Sequence, residues 1–469
     1  MLSAMLALAL SLLISSPPNV VIIFCDDLGY GDLSCQGEQR WRTPHLDAMA
    51  AEGIRFTDFC VSQPVCSASR ASLLTGCYAN RLSIHGALGP HAKHGLSSAE
   101  TTLAEICKAQ GYATAIHGKW HLGHLPPFLP TRHGFDEFSG IPYSNDMWPS
   151  HPEARKGTYP PLPFFENEAV VRVQPDQKLF TTGFTDRIMS FIRQSHAANT
   201  PFFAYLAHPM PHVPLFVSKS GDGQSGDGVL GDVIAEIDRG VGQILATLEE
   251  LGIDEDTLVM FTSDNGPWLS YGDHAGTTAG LREGKGTTFE GGIRVPCIVR
   301  WPGTIPAGRV SGVHWMTIDV LPTVAALIEA PVPDHPIDGR DATAILFDEE
   351  NAVSPRATSA FYYHTGHLEA VRKGRWKLHL PHTYRTMQGQ PQGGGGRPGR
   401  YRLDAKIQEA LFDLESDPYE RQDVANAHPE VVRELQEVAE HWRARLGDGL
   451  TERAGSEVRP AGQIDPPAN

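Results

Sequence analysis

The chain alternates between short, continuous apolar runs and longer segments with helical periodicity. Apolar runs of strand length predict buried β-strands at residues 19–25, 54–59, 112–116, 201–207, 258–262 and 295–300. Apolar residues spaced by three or four positions predict helices at residues 43–52, 69–76, 103–110 and 231–251. Strands without a polar face that alternate with helices are typical of an α/β domain with a large, mostly parallel sheet flanked by helices.

The pattern changes near residue 345. Short alternating segments predict a smaller antiparallel sheet at residues 359–363, 368–373, 375–380 and 411–414. An amphipathic helix is predicted at residues 429–446, and the Gly- and Gln-rich residues 388–400 predict a mobile loop. The predicted units are an α/β domain (17–345), a C-terminal antiparallel-sheet-plus-helix subdomain (346–450) and a polar, frayed tail (451–469).

The chain begins with an uncharged run rich in Leu and Ala at residues 1–14, followed by Ser15, Ser16 and Pro17. This run has the length of a secretory h-region and is too short to span a bilayer comfortably. We therefore predict that residues 1–16 are an export signal and that the protein is periplasmic, extracellular or in a lysosome-like compartment, with no stable membrane span. The alternative is a buried N-terminal strand or helix.

The 469 residues carry 39 Lys and Arg against 55 Asp and Glu, which gives a formal net charge of −16. This balance argues against a general nucleic-acid binder, because little of the surface would neutralise a phosphate backbone. An anionic substrate would require positive charge that is concentrated in one cleft.

Hard oxygen ligands follow two of the predicted strands. Asp26 and Asp27 come directly after the first strand, and Asp264 and Asn265 follow the fifth. Functional sites of α/β sheets lie at the carboxyl ends of strands, and adjacent acids repel one another unless a cation lies between them. A turn rich in Gly and Asp would explain each pattern alone. Together they predict an oxygen site for Ca²⁺ or Mg²⁺ rather than for zinc.

Residues 66–76 read Cys-Ser-Ala-Ser-Arg-Ala-Ser-Leu-Leu-Thr-Gly. A thiol four residues before an arginine, at a loop-to-helix junction, can be oriented by helix amides and paired with a cation. A structural cysteine beside a surface arginine would share the shorter pattern. The longer string resembles the sulfatase signature C-x-[PA]-x-R followed by L-T-G, with Ala68 where most members carry Pro. The resemblance implies that Cys66 is oxidised to formylglycine by a formylglycine-generating or equivalent enzyme.

The resemblance extends in order over residues 18–446 and implies an alkaline-phosphatase-like fold. The first strand and its acids resemble the opening strand of the family, and Thr-Ser-Asp-Asn-Gly at residues 262–266 matches the second half of its metal site. The ligands that this implies for Ca²⁺, or for Mg²⁺, are Asp26, Asp27, Cys66, Asp264 and Asn265.

Further strings imply residues of a sulfate pocket beside Arg70. Lys119 and His121 lie in Gly-Lys-Trp-His-Leu-Gly, which resembles a family string. The segment Gly-Ile-Pro-Tyr-Ser-Asn-Asp is close to the arylsulfatase A branch and contains Ser144. The remaining pocket residues implied are His212, at the end of Ala-His-Pro-Met-Pro-His, and Lys285, before Thr-Thr-Phe-Glu-Gly-Gly.

Hydrolysis of a sulfate ester explains these residue types. Fixed positive charge on Arg70, Lys119 and Lys285, with a divalent cation, would neutralise the sulfate oxygens. One hydroxyl of an aldehyde hydrate would attack sulfur and displace the alcohol. The other hydroxyl, deprotonated by a base, would then collapse to the aldehyde and expel sulfate. A sulfated serine has no such second hydroxyl and would need a separate hydrolysis. His121 is the candidate base, and His212 or Lys285 is the candidate proton donor to the leaving alcohol.

Residues near strand ends are candidates for binding the rest of the substrate. Asn145 and Asp146 follow Ser144, while His364 and His367 lie on a loop of the C-terminal subdomain. An isolated histidine is more often a surface or core residue, so these assignments rest on position alone. An aromatic, histidine-bearing rim on an exported protein would fit a sulfated carbohydrate, although an aryl sulfate is equally compatible with the core.

Two other functions are alternatives to the sulfatase hypothesis. The first is a phosphoryl-transfer enzyme of the same superfamily, which usually has a Ser or Thr nucleophile and two zinc ions. Here Cys66 occupies the nucleophile position, and Lys119 and His121 stand where ligands of a second metal are needed. The second is a catalytically inactive exported binding protein in which Cys66 is never converted.

Overall fold

The computed structural model describes residues 17–348 and 352–464. The strands are β1 Asn19–Cys25, β2 Ile54–Phe56, β3 Phe59–Cys60, β4 His94–Gly95, β5 Ala113–Lys119, β6 Glu137–Ile141, β7 Pro163–Glu166, β8 Ala169–Val173, β9 Phe202–Ala207, β10 Thr257–Ser263, β11 Cys297–Arg300, β12 Arg309–Ser311, β13 Trp315–Met316, β14 Ser359–Tyr363, β15 His367–Lys373, β16 Trp376–His379, β17 His382–Thr386, β18 Arg402–Ile407, β19 Ala410–Asp413 and β20 Gly462–Gln463. The α-helices are α1 Pro44–Glu52, α2 Cys66–Thr75, α3 Leu103–Ala109, α4 Phe180–Ala197, α5 Gly228–Leu251, α6 Glu290–Ile293, α7 Val320–Leu327, α8 Thr343–Leu346 and α9 Pro429–Leu446.

A ten-stranded sheet with the order β12-β2-β11-β10-β1-β9-β5-β6-β7-β8 organises the larger domain. Its five central strands, β10 to β6 in this order, are parallel, whereas β11 and β7 run antiparallel to their neighbours. The prediction of a large, mostly parallel sheet is confirmed. The antiparallel strands lie towards the edges, and β7 and β8 are joined by a tight hairpin turn at residues 167–168.

Strand β1 shows why the central strands are continuous apolar runs. Val20, Ile22 and Phe24 point into the core on one face of the sheet, where α2, α3 and α7 pack. Val21 and Ile23 point into the core on the other face, beneath α4 and α5. Because both faces of the strand are covered, neither tolerates polar side chains.

The C-terminal subdomain is a four-stranded antiparallel sheet, β14-β15-β16-β19, covered by α9. This architecture confirms the predicted antiparallel sheet and helix. The apolar face of α9, including Leu435 and Trp442, belongs to the same buried cluster as β1, so the two units share one continuous core. A two-stranded ribbon, β17 and β18, brackets residues 388–400 and was not predicted. The glycine-rich residues do form a loop, and Gly393 and Gly399 both donate backbone hydrogen bonds to the Ser270 carbonyl.

The end of the chain differs from the frayed tail that the sequence predicts. Strand β20 pairs with β4, and Ala461 is buried. The Arg459 guanidinium forms a two-point ion pair with Glu100, in which the Nη2–Oε2 distance is 2.7 Å. The prediction of a frayed tail is therefore wrong up to residue 464, because these long-range contacts anchor a segment whose own composition is polar. The proposed export signal, residues 1–16, and residues 465–469 lie outside the described residues.

All seven cysteines are free thiols. Within the described part of the chain, no helix is both long enough and apolar enough to cross a bilayer.

Gly118, next to the end of β5, provides a test of how tightly the sheet is packed. Its φ angle is +127°, and a Cβ atom there would lie 1.9 Å from the Ala207 carbonyl oxygen of β9. We expect Gly118→Ala to lower the free energy of unfolding by about 3 kcal/mol, because a side chain would both clash with backbone and strain it. Urea unfolding followed by circular dichroism measures this loss.

Gly183 in α4 is the matched control, because a Cβ there meets no heavy atom within 4 Å. Gly183→Ala should stabilise the protein by about 0.5–1 kcal/mol, through a reduced entropy of the unfolded chain. Equal effects of the two substitutions would contradict this account of the sheet.

Candidate active site

The two acidic strand ends meet because β1 and β10 pair in parallel up to Cys25 and Ser263. The backbone N–H of Asp27 donates to Oδ1 of Asp264 at 3.1 Å, and Nδ2 of Asn265 donates to Oδ1 of Asp27 at 2.7 Å. These side chains are almost completely buried. The structure thus brings together the four carboxylate and amide residues that the sequence predicted as cation ligands.

Several oxygen atoms of this cluster are available to a cation. Oδ1 of Asp26, Oδ2 of Asp27 and Oδ1 of Asn265 are buried and have no hydrogen-bond partner among the described residues. Ligand atoms of Asp26, Asp27, Cys66 and His212 lie within 4.8 Å of one another. Orphaned carboxylate and amide oxygens are the donors that Ca²⁺ and Mg²⁺ prefer, so the residues present fit a divalent cation.

Asp264 differs from Asp26 and Asp27 because both oxygens of its carboxylate already accept hydrogen bonds from described residues. Its Oδ2 accepts from Nε and Nη2 of Arg70 at 3.2 and 2.9 Å, and its Oδ1 accepts from Asp27 N–H. Burial, with the neighbouring Asp26 carboxylate, raises the pKa of Asp264 to about 7. A divalent cation between the acids would act in the opposite direction, by favouring the ionised form.

Three buried cations compensate the acids. Arg70 lies between Asp264 and Asp26, with an Nη2–Oδ2 distance of 3.4 Å to Asp26. Nζ of Lys119 contacts the Asp26 carboxylate and lies 3.1 Å from Oγ of Ser144. Burial opposes ionisation of Asp26, but the positive charge of Lys119 and its neighbours outweighs it and holds the pKa of Asp26 well below the usual value.

Lys285 links the acids to the cysteine. Its Nζ donates to Oδ1 of Asp27 at 2.6 Å and lies 3.5 Å from Sγ of Cys66. The pKa of Lys285 is raised: burial alone would lower it, but the nearby Asp27 carboxylate prevails. The ammonium group therefore keeps its charge inside the pocket.

Cys66 is the first residue of α2, which begins three residues earlier than the sequence predicted. Every residue of this helix is buried, so the thiol is held at a helix N-terminus in the interior. Burial raises the pKa of the Cys66 thiol to about 12, although Lys119 and Lys285 act in the opposite direction. An unmodified Cys66 is therefore protonated at neutral pH and is a poor nucleophile.

Two histidines complete the pocket. Both ring nitrogens of His121 lack a hydrogen-bond partner in the described structure, and burial with the Lys119 charge holds its pKa well below the usual value. Nδ1 of His212 lies 2.5 Å from the Val213 carbonyl oxygen, so it carries the proton, and Nε2 lies 3.6 Å from Oδ2 of Asp27. Burial and the Lys285 charge lower the pKa of His212.

The comparison with known families matches both the larger domain and the C-terminal subdomain. Residues 18–330 match the family model for sulfatases, and residues 354–464 match the model for the C-terminal region of aryl-sulfatase. The chain belongs to the sulfatase family. This confirms the predicted family and the predicted reaction, hydrolysis of a sulfate ester, which makes the protein a sulfuric ester hydrolase.

Several relatives of this sulfatase cover most of its length. Bovine arylsulfatase A is 40% identical over 452 residues, which cover 92% of this chain and 87% of that protein. Dog N-acetylgalactosamine-6-sulfatase is 37% identical over 450 residues, which cover 90% and 84%. The crystal structure of PsFucS1 sulfatase from Pseudoalteromonas sp. superposes with a TM-score of 0.80 at 26% identity, covering 93% of this chain and 92% of that one.

The residues predicted to bind the rest of the substrate form two groups, Asn145 and Asp146 in the larger domain and His364 and His367 in the C-terminal subdomain. Asp146 in the sulfatase is nearly buried, and its Oδ1 has no hydrogen-bond partner in the described structure, whereas the Nδ2 group of Asn145 is already used by Gln177 and the Pro214 carbonyl. His364 is exposed, and its ring lies 5.4 Å from the ring of His367, measured between centroids.

The structure adds rim residues of the sulfatase that the sequence argument did not assign. Tyr363 packs against the small cluster that contains Cys66, and Trp268 contacts both Lys285 and His212 through its ring. Arg385, from the unpredicted ribbon, donates to the backbone carbonyl of Lys285. Only Trp268 had a signal in the sequence, since it follows the second metal string. The other two depend on how the C-terminal subdomain docks.

Proposed function

We propose that this sulfatase uses a formylglycine derived from Cys66, at a calcium site, to hydrolyse aryl or carbohydrate sulfate esters. The observation that carries the proposal is the position of Cys66. It lies at a buried helix N-terminus, with Sγ 3.5 Å from Nζ of Lys285 and within 4.8 Å of ligand atoms of Asp26, Asp27 and His212. The nucleophile, the cation ligands and a fixed positive charge therefore share one site.

The charge balance of the pocket supports an anionic substrate. Arg70, Lys119 and Lys285 compensate the three acids that surround them, so a bound divalent cation would add its whole charge as surplus. The negative charge of a sulfate monoester would then balance this surplus positive charge in place of solvent. The same groups stabilise charge that develops on the sulfate oxygens, which is most effective in a buried site.

Calcium is our choice of cation because the available donors are hard oxygens, with Mg²⁺ as the alternative. Asp26, Asp27 and Asn265 would hold it with their orphaned oxygens, and Asp264 would do so next to Arg70. When bound, the cation supplies Lewis-acid stabilisation of the sulfate oxygens. The remaining steps below are performed by side chains of this chain.

A formylglycine hydrate resolves the difficulty that the Cys66 thiol presents. The buried thiol is protonated at neutral pH, whereas a geminal diol supplies one hydroxyl to attack sulfur and another whose deprotonation releases sulfate. His121 is the base in this proposal, because both its ring nitrogens are free of other partners and its low pKa keeps it neutral. Lys119 and Ser144, whose Nζ and Oγ lie 3.1 Å apart, orient the sulfate.

His212 is our candidate for protonating the leaving alcohol. Lys285 already donates to Asp27, whereas Nε2 of His212 has no hydrogen-bond partner among the described residues and lies 3.6 Å from Oδ2 of Asp27. The edge of its ring packs against Trp268, with centroids 5.6 Å apart, which fixes the orientation of the imidazole. In this proposal Lys285 keeps its proton and contributes a fixed positive charge to the pocket.

The substrate class and cellular location complete the proposal. The chain is similar to an N-acetylgalactosamine-6-sulfatase and to an arylsulfatase A, which favours a sulfated sugar or a related ester. Conversion of Cys66 requires a modifying enzyme as a transient partner. We propose that the protein is exported, because the apolar run at residues 1–14 is typical of a secretory signal.

Conversion of Cys66 is tested by mass spectrometry of its tryptic peptide together with a release assay on 4-nitrophenyl sulfate. Protein co-expressed with a formylglycine-generating enzyme should contain the aldehyde. Cys66→Ala should lower kcat by at least about a thousand-fold, because the covalent route is lost. Cys35→Ala, which removes a half-buried thiol outside the pocket, is the control and should stay active. Full activity of protein whose Cys66 is entirely unconverted would refute the proposal.

The calcium site is tested by stripping the protein with a chelator, with elemental analysis before and after. Activity should be lost on stripping and regained with Ca²⁺. Asp27→Asn should weaken calcium binding in calorimetric titration by at least about tenfold, because a charged ligand is removed. Asp186→Asn, on the exposed side of α4, is the matched control. Two zinc ions per chain, or activity that survives verified removal of all metal, would contradict this assignment.

The role of His212 predicts a dependence on pH and on the leaving group. Because burial lowers the pKa of His212 below 6.5, its protonated form is present only in acid, so kcat/KM for sugar sulfates should fall as the pH rises through the acidic range. His212→Gln should lower kcat/KM for such poor leaving groups by about 100-fold or more and flatten this pH profile, with a smaller effect on 4-nitrophenyl sulfate. His196→Gln, on the exposed side of α4, is the control. A profile unchanged by His212→Gln would transfer the role to Lys285.

A further inference from the structure

The C-terminal subdomain contributes a cationic and aromatic rim beside Lys285. Arg385 and Tyr401, from the β17–β18 ribbon and its loop, meet Trp268 of the larger domain and Tyr363 at the end of β14. Arg385 and Tyr363 meet at Gly286, where a Cβ atom would lie 2.4 Å from Nη2 of Arg385 and 2.6 Å from the hydroxyl of Tyr363. We call these four side chains the Arg385 rim.

Arg385 is held in place without a carboxylate. Its Nε donates to the Lys285 carbonyl oxygen at 2.9 Å, and its Nη2 donates to the same oxygen. The guanidinium carbon lies 4.7 Å from the ring centroid of Tyr401 and 5.9 Å from that of Trp268. Two aromatic faces and one carbonyl thus fix the plane of the group, and Nη1 makes no hydrogen bond to any described residue.

This arrangement differs from that of the other arginines. Every fully buried arginine in the described chain pairs with a carboxylate, namely Arg70, Arg81, Arg294, Arg300, Arg356 and Arg372. Arg282, a half-buried neighbour without a carboxylate, uses both Nη1 and Nη2 on the Glu420 carbonyl and the Tyr384 hydroxyl. The acid next to the rim, Glu283, accepts from Thr386 at 2.7 Å and forms no ion pair with Arg385.

We propose that Arg385 binds a second anionic group, a carboxylate or a further sulfate, on the alcohol portion of the substrate. The position of this second anion follows from Lys285. The backbone carbonyl of Lys285 holds Arg385, and Nζ of Lys285 lies beside Cys66. The second anion therefore lies one lysine side chain away from the reacting sulfate, which corresponds to a group on the same or the adjacent sugar ring. A rigid, half-buried guanidinium with a free nitrogen favours this kind of planar anion recognition.

The inference rests on the proposed sulfatase function and narrows its substrate class to polyanionic glycans. Trp268 and Tyr401 also present ring faces against which a sugar can pack. Positive charge placed beside Lys285, in a protein with a net charge of −16, concentrates anionic substrates at this one place. Singly charged esters would gain nothing from Arg385.

The test compares kcat/KM for a monosulfated sugar, the same sugar with a second sulfate, and a monosulfated disaccharide with an adjacent uronate. Arg385→Gln should lower kcat/KM for whichever doubly charged substrate uses the site by about 10- to 100-fold more than for the monosulfated sugar. Arg385→Lys should retain part of the preference for doubly charged substrates, because lysine keeps the positive charge but lacks the paired N–H groups of the guanidinium. Arg433→Gln, which removes an exposed, unpaired charge from α9, is the matched control.

The two doubly charged substrates distinguish a sulfate from a carboxylate as the bound group. An equal loss on all three substrates would overturn the inference, because it would make Arg385 a structural bridge to Lys285. Calorimetric binding of the same sugars to Cys66→Ala, with and without Arg385→Gln, gives an independent readout that needs no turnover. Binding that prefers the second anion only when Arg385 is present supports the inference even if hydrolysis fails, whereas absence of that preference refutes it.

Discussion

Three buried acids lie together at one edge of the sheet, and their negative charge must be compensated by buried cations. This requirement determines most of the structure around the site. Asp26, Asp27 and Asp264 lie within one buried cluster, and no fold would tolerate this without cations placed to match. Arg70 reaches the cluster only because α2 is buried throughout, and Lys119 reaches it only because β5 ends beside β9. The helix and the sheet order are thus coupled to the charges they bring together.

This coupling also explains why the pocket is polarised before any ligand arrives. Each cation is shared between an acid and a second polar group: Arg70 also donates to the Lys119 carbonyl, Lys119 contacts Ser144, and Lys285 contacts Cys66. A ligand that binds these groups therefore changes the electrostatics of the acids behind them. Arrangements fixed by folding in this way require little reorganisation during reaction.

The sequence predicted the parts of the site that are local in the chain. A buried strand followed by acids, as at β1 and β10, needs no tertiary information, because sheet geometry brings the carboxyl ends of parallel strands together. The sequence predicts the start of α2 three residues too late, because the N-cap residue Val65 makes no side-chain capping hydrogen bond and is extended like a strand residue. Arg385 and the anchored chain end were missed, since both depend on the docking of remote segments whose own composition is polar.

The division of labour between the two units follows from their architecture. Strand ends of the parallel sheet hold the residues of the proposed sulfate pocket, and the backbones of these strands are paired on both sides. The rim comes from loops, a two-stranded ribbon and the last residue of β14, and the sequence of such segments can change with less effect on the core. Arg385 crosses this boundary by binding the backbone of Lys285 rather than its side chain. The contact therefore imposes no requirement on the side chains of the pocket, and the rim can acquire a preference for the leaving group while the groups proposed to bind sulfate stay unchanged.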